Sequence, residues 1–226
     1  MKCLAFAMEK EAKPVLEASQ ILTKRSYGYS TIYKCRKGKL DFFVGISGIG
    51  KGFAAAFVSA LCLSHPEVDT IVNVGVGGSL DAEKAPLLSA VIASSFVQHD
   101  LDTSEIGDPV GLISGINLVT IPASKEINAP LELACKSLGI PYSFGVISSG
   151  DKFIVDPKKK EKIREKFASL SVDMESAPMA QIAYCFNKKF SALRVVSDTG
   201  DGKEYDANVL KAAELASKII FFLLEN

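Results

Sequence analysis

Apolar runs of strand length alternate with helical patterns along nearly the whole chain, and that alternation restricts the fold to a layered α/β architecture. "KCLAFAM" reads as a buried strand and "EKEAKPVLEAS" as a helix leaving it. "YSTIYKC" and "LDFFVGIS" are strands around a turn at Lys37 and Gly38. Further strands are expected at "DTIVNVGVGG", "SAVIASSFVQHD", "YSFGVISSGD" and "SALRVVSD". Helices are expected over Lys51 to Ser64, Lys125 to Leu138, Pro157 to Phe167 and Glu175 to Phe186, and from about Asn208 to the end. Asp102 to Ile116 shows no periodicity and reads as a long loop. With no linker, low-complexity segment or repeat, the expectation is one domain over residues 1–226: a three-layer α/β/α unit on a mixed, mostly parallel central sheet.

Composition narrows the function. The 26 basic residues balance 26 acidic ones, which removes most of the drive for nucleic-acid binding. Arg25, Arg36, Arg164 and Arg194 are the only arginines, few for a phosphate-rich ligand. A 48% hydrophobic content supports a large core without disulfides or metal. The cysteines, at 3, 35, 62, 135 and 185, are scattered and odd in number, as expected of reduced cysteines in the cytoplasm. With only His65 and His99, a His-rich metal site is excluded, and neither metal nor cofactor is expected. The first apolar run is too short for a signal peptide, and no apolar stretch reaches membrane-spanning length. The lysine run "PKKKEKIREK" reads as the solvated face of a helix. "QHD", with His99 and Asp100, serves either to stabilise a strand-to-loop corner or to touch a dimer interface; the structural role is preferred.

Two glycine motifs come close to known patterns and fail. "GISGIGKG" has the spacing of a phosphate-binding loop, but Gly52 stands where a magnesium-binding hydroxyl is required. It also misses the dinucleotide fingerprint, because Phe53 stands at the third glycine. The strand, tight turn and helix start still aim backbone N–H groups at one spot. That spot holds a water, a carboxylate or a sugar oxygen, or else the glycines simply let helix and strand pack closely.

Ligands of open α/β sheets bind beyond the carboxyl ends of strands. Four predicted strand ends deliver acids there: Glu9 and Glu11, Asp151, Asp173 and Glu175, and Asp198. A fifth delivers the glycine loop of Val76, Gly77 and Gly78. One acid at a helix start is ordinary capping; four around one sheet edge are harder to explain that way. Carboxylates without metal ligands or a nucleophilic Ser or Cys point to glycosidic chemistry. One acid protonates the leaving group, another activates water, and a third holds sugar hydroxyls.

The motifs "AMEKEA", "SGIGKGFAAA", "NVGVGGSL", "ISSGDKFI", "VDMESAPMAQIA" and "RVVSDTGDG" stand in the order and near the spacing of the nucleoside phosphorylase superfamily. The chain resembles that family over nearly its whole length, and within it most resembles the 5′-methylthioadenosine/S-adenosylhomocysteine nucleosidases. The resemblance implies that Glu11 activates the hydrolytic water and that Asp198 protonates adenine N7. It implies that Glu175 accepts hydrogen bonds from ribose hydroxyls while Met174 packs on the sugar. Phe153 then stacks on adenine, the backbone of Ile154 reads the purine edge, and Gly78 borders ribose and base. Asp173, Val76, Gly77, Ser197 and Ile49 are counted with the same site. The family pattern further implies a homodimer in which a loop near Ile106 and Pro109 caps the neighbouring subunit's site.

The chain departs from the family at "VGVGGS", where Val76 replaces a common serine, and after Asp198, where an aromatic lid falls to Tyr205. Alternatives kept open are a related nucleosidase such as futalosine hydrolase, a phosphorolytic relative, and a nucleoside-binding domain without catalysis.

Overall fold

The computed structural model describes residues 1–200 and 202–225. Strand β1 (Lys2–Phe6) leads into helix α1 (Glu9–Glu17). An antiparallel meander follows, formed by β2 (Gln20–Tyr27), β3 (Ser30–Lys37) and β4 (Leu40–Ile46). Then come α2 (Lys51–Ser64), β5 (Thr70–Ser79), β6 (Ala90–Gln98), the short β7 (Ile121–Pro122) and α3 (Lys125–Leu138). The order ends with β8 (Tyr142–Ser149), α4 (Pro157–Phe167), β9 (Ser169–Asp173), α5 (Ser176–Cys185), β10 (Lys189–Asp198) and α6 (Gly202–Glu225).

All strands belong to one mixed sheet, ordered β10-β6-β8-β9-β5-β1-β4-β3-β2, with β7 on β6. Because β10 also pairs with β5, the strands β5, β10, β6, β8 and β9 close into a ring. Helices α2 and α5 cover one face, where Phe57, Leu61, Met179 and Ala183 cluster with Cys3 and Ala5. Helices α1, α3 and α6 cover the other, where Val15, Leu131, Ile219 and Leu223 cluster with Leu4 and Phe6. Successive β1 residues therefore enter opposite cores, which is why this strand reads as an unbroken apolar run.

The architecture is the layered one expected, with three local differences. β2 has no apolar signature because it is a mostly exposed edge strand, and Lys24 and Arg25 on it discourage further pairing. α6 starts at Gly202 rather than near Asn208, its polar first turns standing largely in solvent. The lysine run does form a helix, α4, but Lys160 is turned inward and only 6% exposed. Asp201, inside "RVVSDTGDG", lies outside the described residues.

One feature of the sheet creates a cleft. β1 accompanies β5 only from Thr70 to Asn73, and β9 takes up that side at Gly78 and Ser79. Between them, among the described residues, Val74 to Gly77 have β10 on one side and no strand neighbour on the other.

Candidate active site

A cleft of about 200 Å³ lies at this split. The three acids Glu11, Glu175 and Asp198 meet there, although each comes from a different strand end. Val76, Gly77 and Gly78 line it from β5, and Ser197 from β10. Asp173 and Met174 border it after β9, Phe153 and Ile154 after β8, and Ile49 after β4. Of the strand-end acids named from the sequence, Glu9 and Asp151 stay outside this cavity: Glu9 borders a neighbouring cleft, and the Asp151 carboxylate accepts the Lys51 N–H at 2.8 Å. Among the described residues, no group of His, Cys, Asp and Glu could hold a metal ion.

Glu11 is buried in the first turn of α1 and reaches in two directions. One carboxylate oxygen accepts the Met8 N–H at 3.0 Å, which caps its own helix. The other accepts the Val76 N–H at 3.0 Å, one of the β5 groups left without a strand partner. Helix capping and site construction are therefore one arrangement, and the Val76 contribution is main-chain. Burial pushes the Glu11 carboxyl upward, opposed by Arg194 and by those two N–H groups. Close approach to β5 requires a glycine: a Cβ on Gly75 would come within 2.7 Å of Glu11 Oε1. Gly75→Ala should displace this flexible carboxylate while the fold yields easily. We expect kcat to fall about 10- to 100-fold and the thermal midpoint to move by less than about 4 °C; kinetics beside a melting curve checks both.

Glu175 occupies the N-terminal boundary of α5 and is also buried. Its carboxylate accepts the Gly50 N–H at 2.9 Å, so the glycine turn of the failed phosphate loop grips one of the protein's own carboxylates. Gly50 has φ 97°, a left-handed conformation that disfavours any side chain. Lys51, the would-be phosphate lysine, instead reaches Asp100 at 2.7 Å. Asp100 also accepts the Asp151 N–H at 2.9 Å, so this corner joins α2 to the ends of β6 and β8, the structural role preferred for "QHD". Burial and the neighbouring Asp173 carboxylate raise Glu175 to about 7, against Arg194 and the Gly50 N–H.

Asp173 borders the cleft, but its oxygens are taken by the protein itself. It pairs with the buried Arg194 through Nε at 2.9 Å and Nη2 at 2.8 Å. It also accepts from the hydroxyls of Ser149 and Ser176 and from the N–H groups of Glu175 and Ser176. It therefore orients the start of α5, and with it Glu175. Arg194, which also lines the cavity, further donates to Asn73, so its fork-shaped head group is engaged by the protein itself.

Asp198 ends β10 opposite Gly78, just after a register shift that begins at Val196. Such a bulge re-aims the terminal side chain, and Asp198 is only 2% exposed. One carboxylate oxygen accepts from Ser197 Oγ at 3.1 Å, and Lys160 Nζ stands 3.6 Å from the other. Lys160 was hidden to sequence reading by the lysines around it. Phe153 stands half-exposed at the cleft, edge-on to Tyr205 with ring centroids 5.4 Å apart. Ile106 lies in a 3₁₀ turn outside its own chain's cleft and is 81% exposed.

The chain is 33% identical over 172 residues to a 5′-methylthioadenosine/S-adenosylhomocysteine nucleosidase of Bacillus velezensis, covering 76% of this chain and 73% of that one. It is 28% identical to an aminodeoxyfutalosine nucleosidase of Campylobacter jejuni, over 97% and 96% of the two chains. A Helicobacter pylori 5′-methylthioadenosine/S-adenosylhomocysteine nucleosidase, solved with butyl-thio-DADMe-Immucillin-A, superposes with a TM-score of 0.93 at 27% identity, covering 100% of this chain and 98% of that one. Residues 3–225 match the model of the phosphorylase superfamily, and the chain belongs to that family.

Proposed function

We propose that the protein hydrolyses the N-glycosidic bond of 5′-methylthioadenosine and S-adenosylhomocysteine, releasing adenine and the 5-thioribose product. The observation that carries this reading is the meeting of Glu11, Glu175 and Asp198 in one cleft. Asp198 gives its proton to adenine N7 as the C1′–N9 electrons pass to the base. Glu11 takes a proton from the water that attacks C1′, and Glu175 accepts the ribose hydroxyls. Phe153 stacks on the purine, and the Ile154 main chain reads its edge. The active unit is a cytoplasmic homodimer of single-domain subunits, the loop near Ile106 closing the neighbouring cleft; an apolar side chain 81% exposed fits that use.

Hydrolysis is favoured over phosphorolysis because Arg194 is already committed to Asp173 and Asn73. The buried carboxylate of Glu11 further disfavours an anion at the attacking position. Adenine should be released from 5′-methylthioadenosine in phosphate-free buffer at the rate seen with phosphate; strict phosphate dependence would overturn the reading. The related alternative, a futalosine-type nucleosidase, draws support from a neighbouring cleft of about 380 Å³. It adjoins the first at Met8 and Ile49, is bordered by Lys24, Tyr29 and Tyr33, and offers room for a larger 5′ substituent. Relative turnover of methylthioadenosine, adenosylhomocysteine and aminodeoxyfutalosine decides between them.

A further inference from the structure

Lys160 is out of place by every ordinary rule. Its neighbours Lys158, Lys159 and Lys162 are exposed, as a solvated helix face should be, while Lys160 is buried. It sits near the start of α4, where the helix dipole disfavours a cation. The junction around it is apolar, with Leu80, Ile154, Ile163 and Val172 packed together, so an aliphatic side chain would suit the position better. Its ammonium donates to the Ser79 carbonyl at 3.0 Å and stands 3.6 Å from Asp198 Oδ1. Burial draws its pKa down, opposed by the Asp198 and Glu204 carboxylates.

Building on the reading of Asp198 as the general acid, we propose that Lys160 is a positioning residue that stabilises the Asp198 carboxylate as its proton leaves for the purine. In that step the Asp198 O–H bond breaks, an N7–H bond forms, and the C1′–N9 electron pair passes to the departing base. Asp198 ends as an anion beside a cation fixed in advance. Lys160 therefore binds the transition state more strongly than the ground state. Ser197 Oγ holds the second carboxylate oxygen, so the acid is fixed from both sides. Among the described residues, the other ionisable groups nearby are Glu204 of α6, whose carboxylate accepts from Thr199 N–H and Oγ1 at 2.6 and 2.9 Å, and the cleft groups Glu11, Lys152, Asp173, Glu175, Arg194 and Tyr205.

The test is the kinetics of adenine release, with kcat and KM determined separately, for the wild type, Lys160→Met, Lys160→Gln and Asp198→Asn. Removing the cation should lower kcat about tenfold or more with little change in KM. A purely structural lysine would change the melting temperature and leave kcat of the folded enzyme in place. Should the methionine variant fail to fold, the glutamine variant carries the same expectation. A kcat within about twofold of the wild type in the folded variants, or a loss carried by KM alone, overturns the role of Lys160. An Asp198→Asn protein that still releases adenine at the wild-type rate overturns instead the assignment of the acid on which it rests.

Discussion

Asp198→Asn is expected to lower kcat for adenine release by about 10²- to 10⁴-fold while leaving substrate binding largely intact. Asparagine matches aspartate in shape and keeps an oxygen for Ser197 Oγ, so the cleft should hold its form. What is lost is the proton. An adenine anion is a poor leaving group, and the side chains that reach the Asp198 carboxylate among the described residues are a serine hydroxyl and a lysine, neither of them a neutral acid. The substitution also leaves the buried Lys160 without its carboxylate, so the thermal midpoint should drop as well. Chromatographic detection of adenine, with calorimetric binding of 5′-methylthioadenosine, separates the two effects. Turnover within tenfold of wild type would remove Asp198 from this role.

Glu11→Gln should be nearly as damaging, again about 10²- to 10⁴-fold in kcat. Here geometry and charge fail together. The amide oxygen can still accept from one of Val76 and Met8, but its NH₂ group then faces the other N–H, donor against donor. The pH profile of the wild type carries the matching signature. In its proposed role Glu11 works as a base only when ionised, and burial raises it above its ordinary value of 4.5. Glu175, raised to about 7, must also be ionised to grip ribose hydroxyls strongly. The acid limb of kcat/KM should therefore lie well above the normal glutamate range, with activity rising toward pH 7. Stability should respond with the opposite sign. A carboxyl raised on folding favours the folded state fully below its unfolded value, and that contribution is lost as pH rises through the folded value. Both readouts come from one buffer series, and an acid limb near 4.5 would contradict the burial argument.

Sequence legibility followed burial. β1, β5 and β10 were readable because each is apolar on both faces, and the acids after β1 and at the end of β10, with the glycine loop of β5, were readable because strands of this kind end at ligand sites. β2 was not, since an exposed edge strand carries no apolar period. The closed ring was not either: the pairing of β5 with β9 at Gly78 and Ser79 is a long-range event with no local signal. Within the site, the residue types were legible and their partners were not. Nothing in "MEKEA" announces that Glu11 will reach the Val76 N–H, or in "GIGKG" that Gly50 will hold Glu175. Lys160 was masked because periodicity distinguishes faces of a helix poorly when both carry the same residue type. One signal was available: counting back three from the buried Ile163 puts Lys160 on the apolar side.

The parting of β1 from β5 has a consequence for how such a protein can change over generations. At Val76 the contact that the cavity draws upon belongs to the peptide bond rather than to the side chain, and every residue but proline supplies it. Under the proposed function, position 76 can exchange serine for valine, adjusting the wall that a nucleoside would meet, while the main-chain hydrogen bond that seats Glu11 is kept. Selectivity and chemical competence would then be written in separable parts of the same strand, the first free to drift without endangering the second.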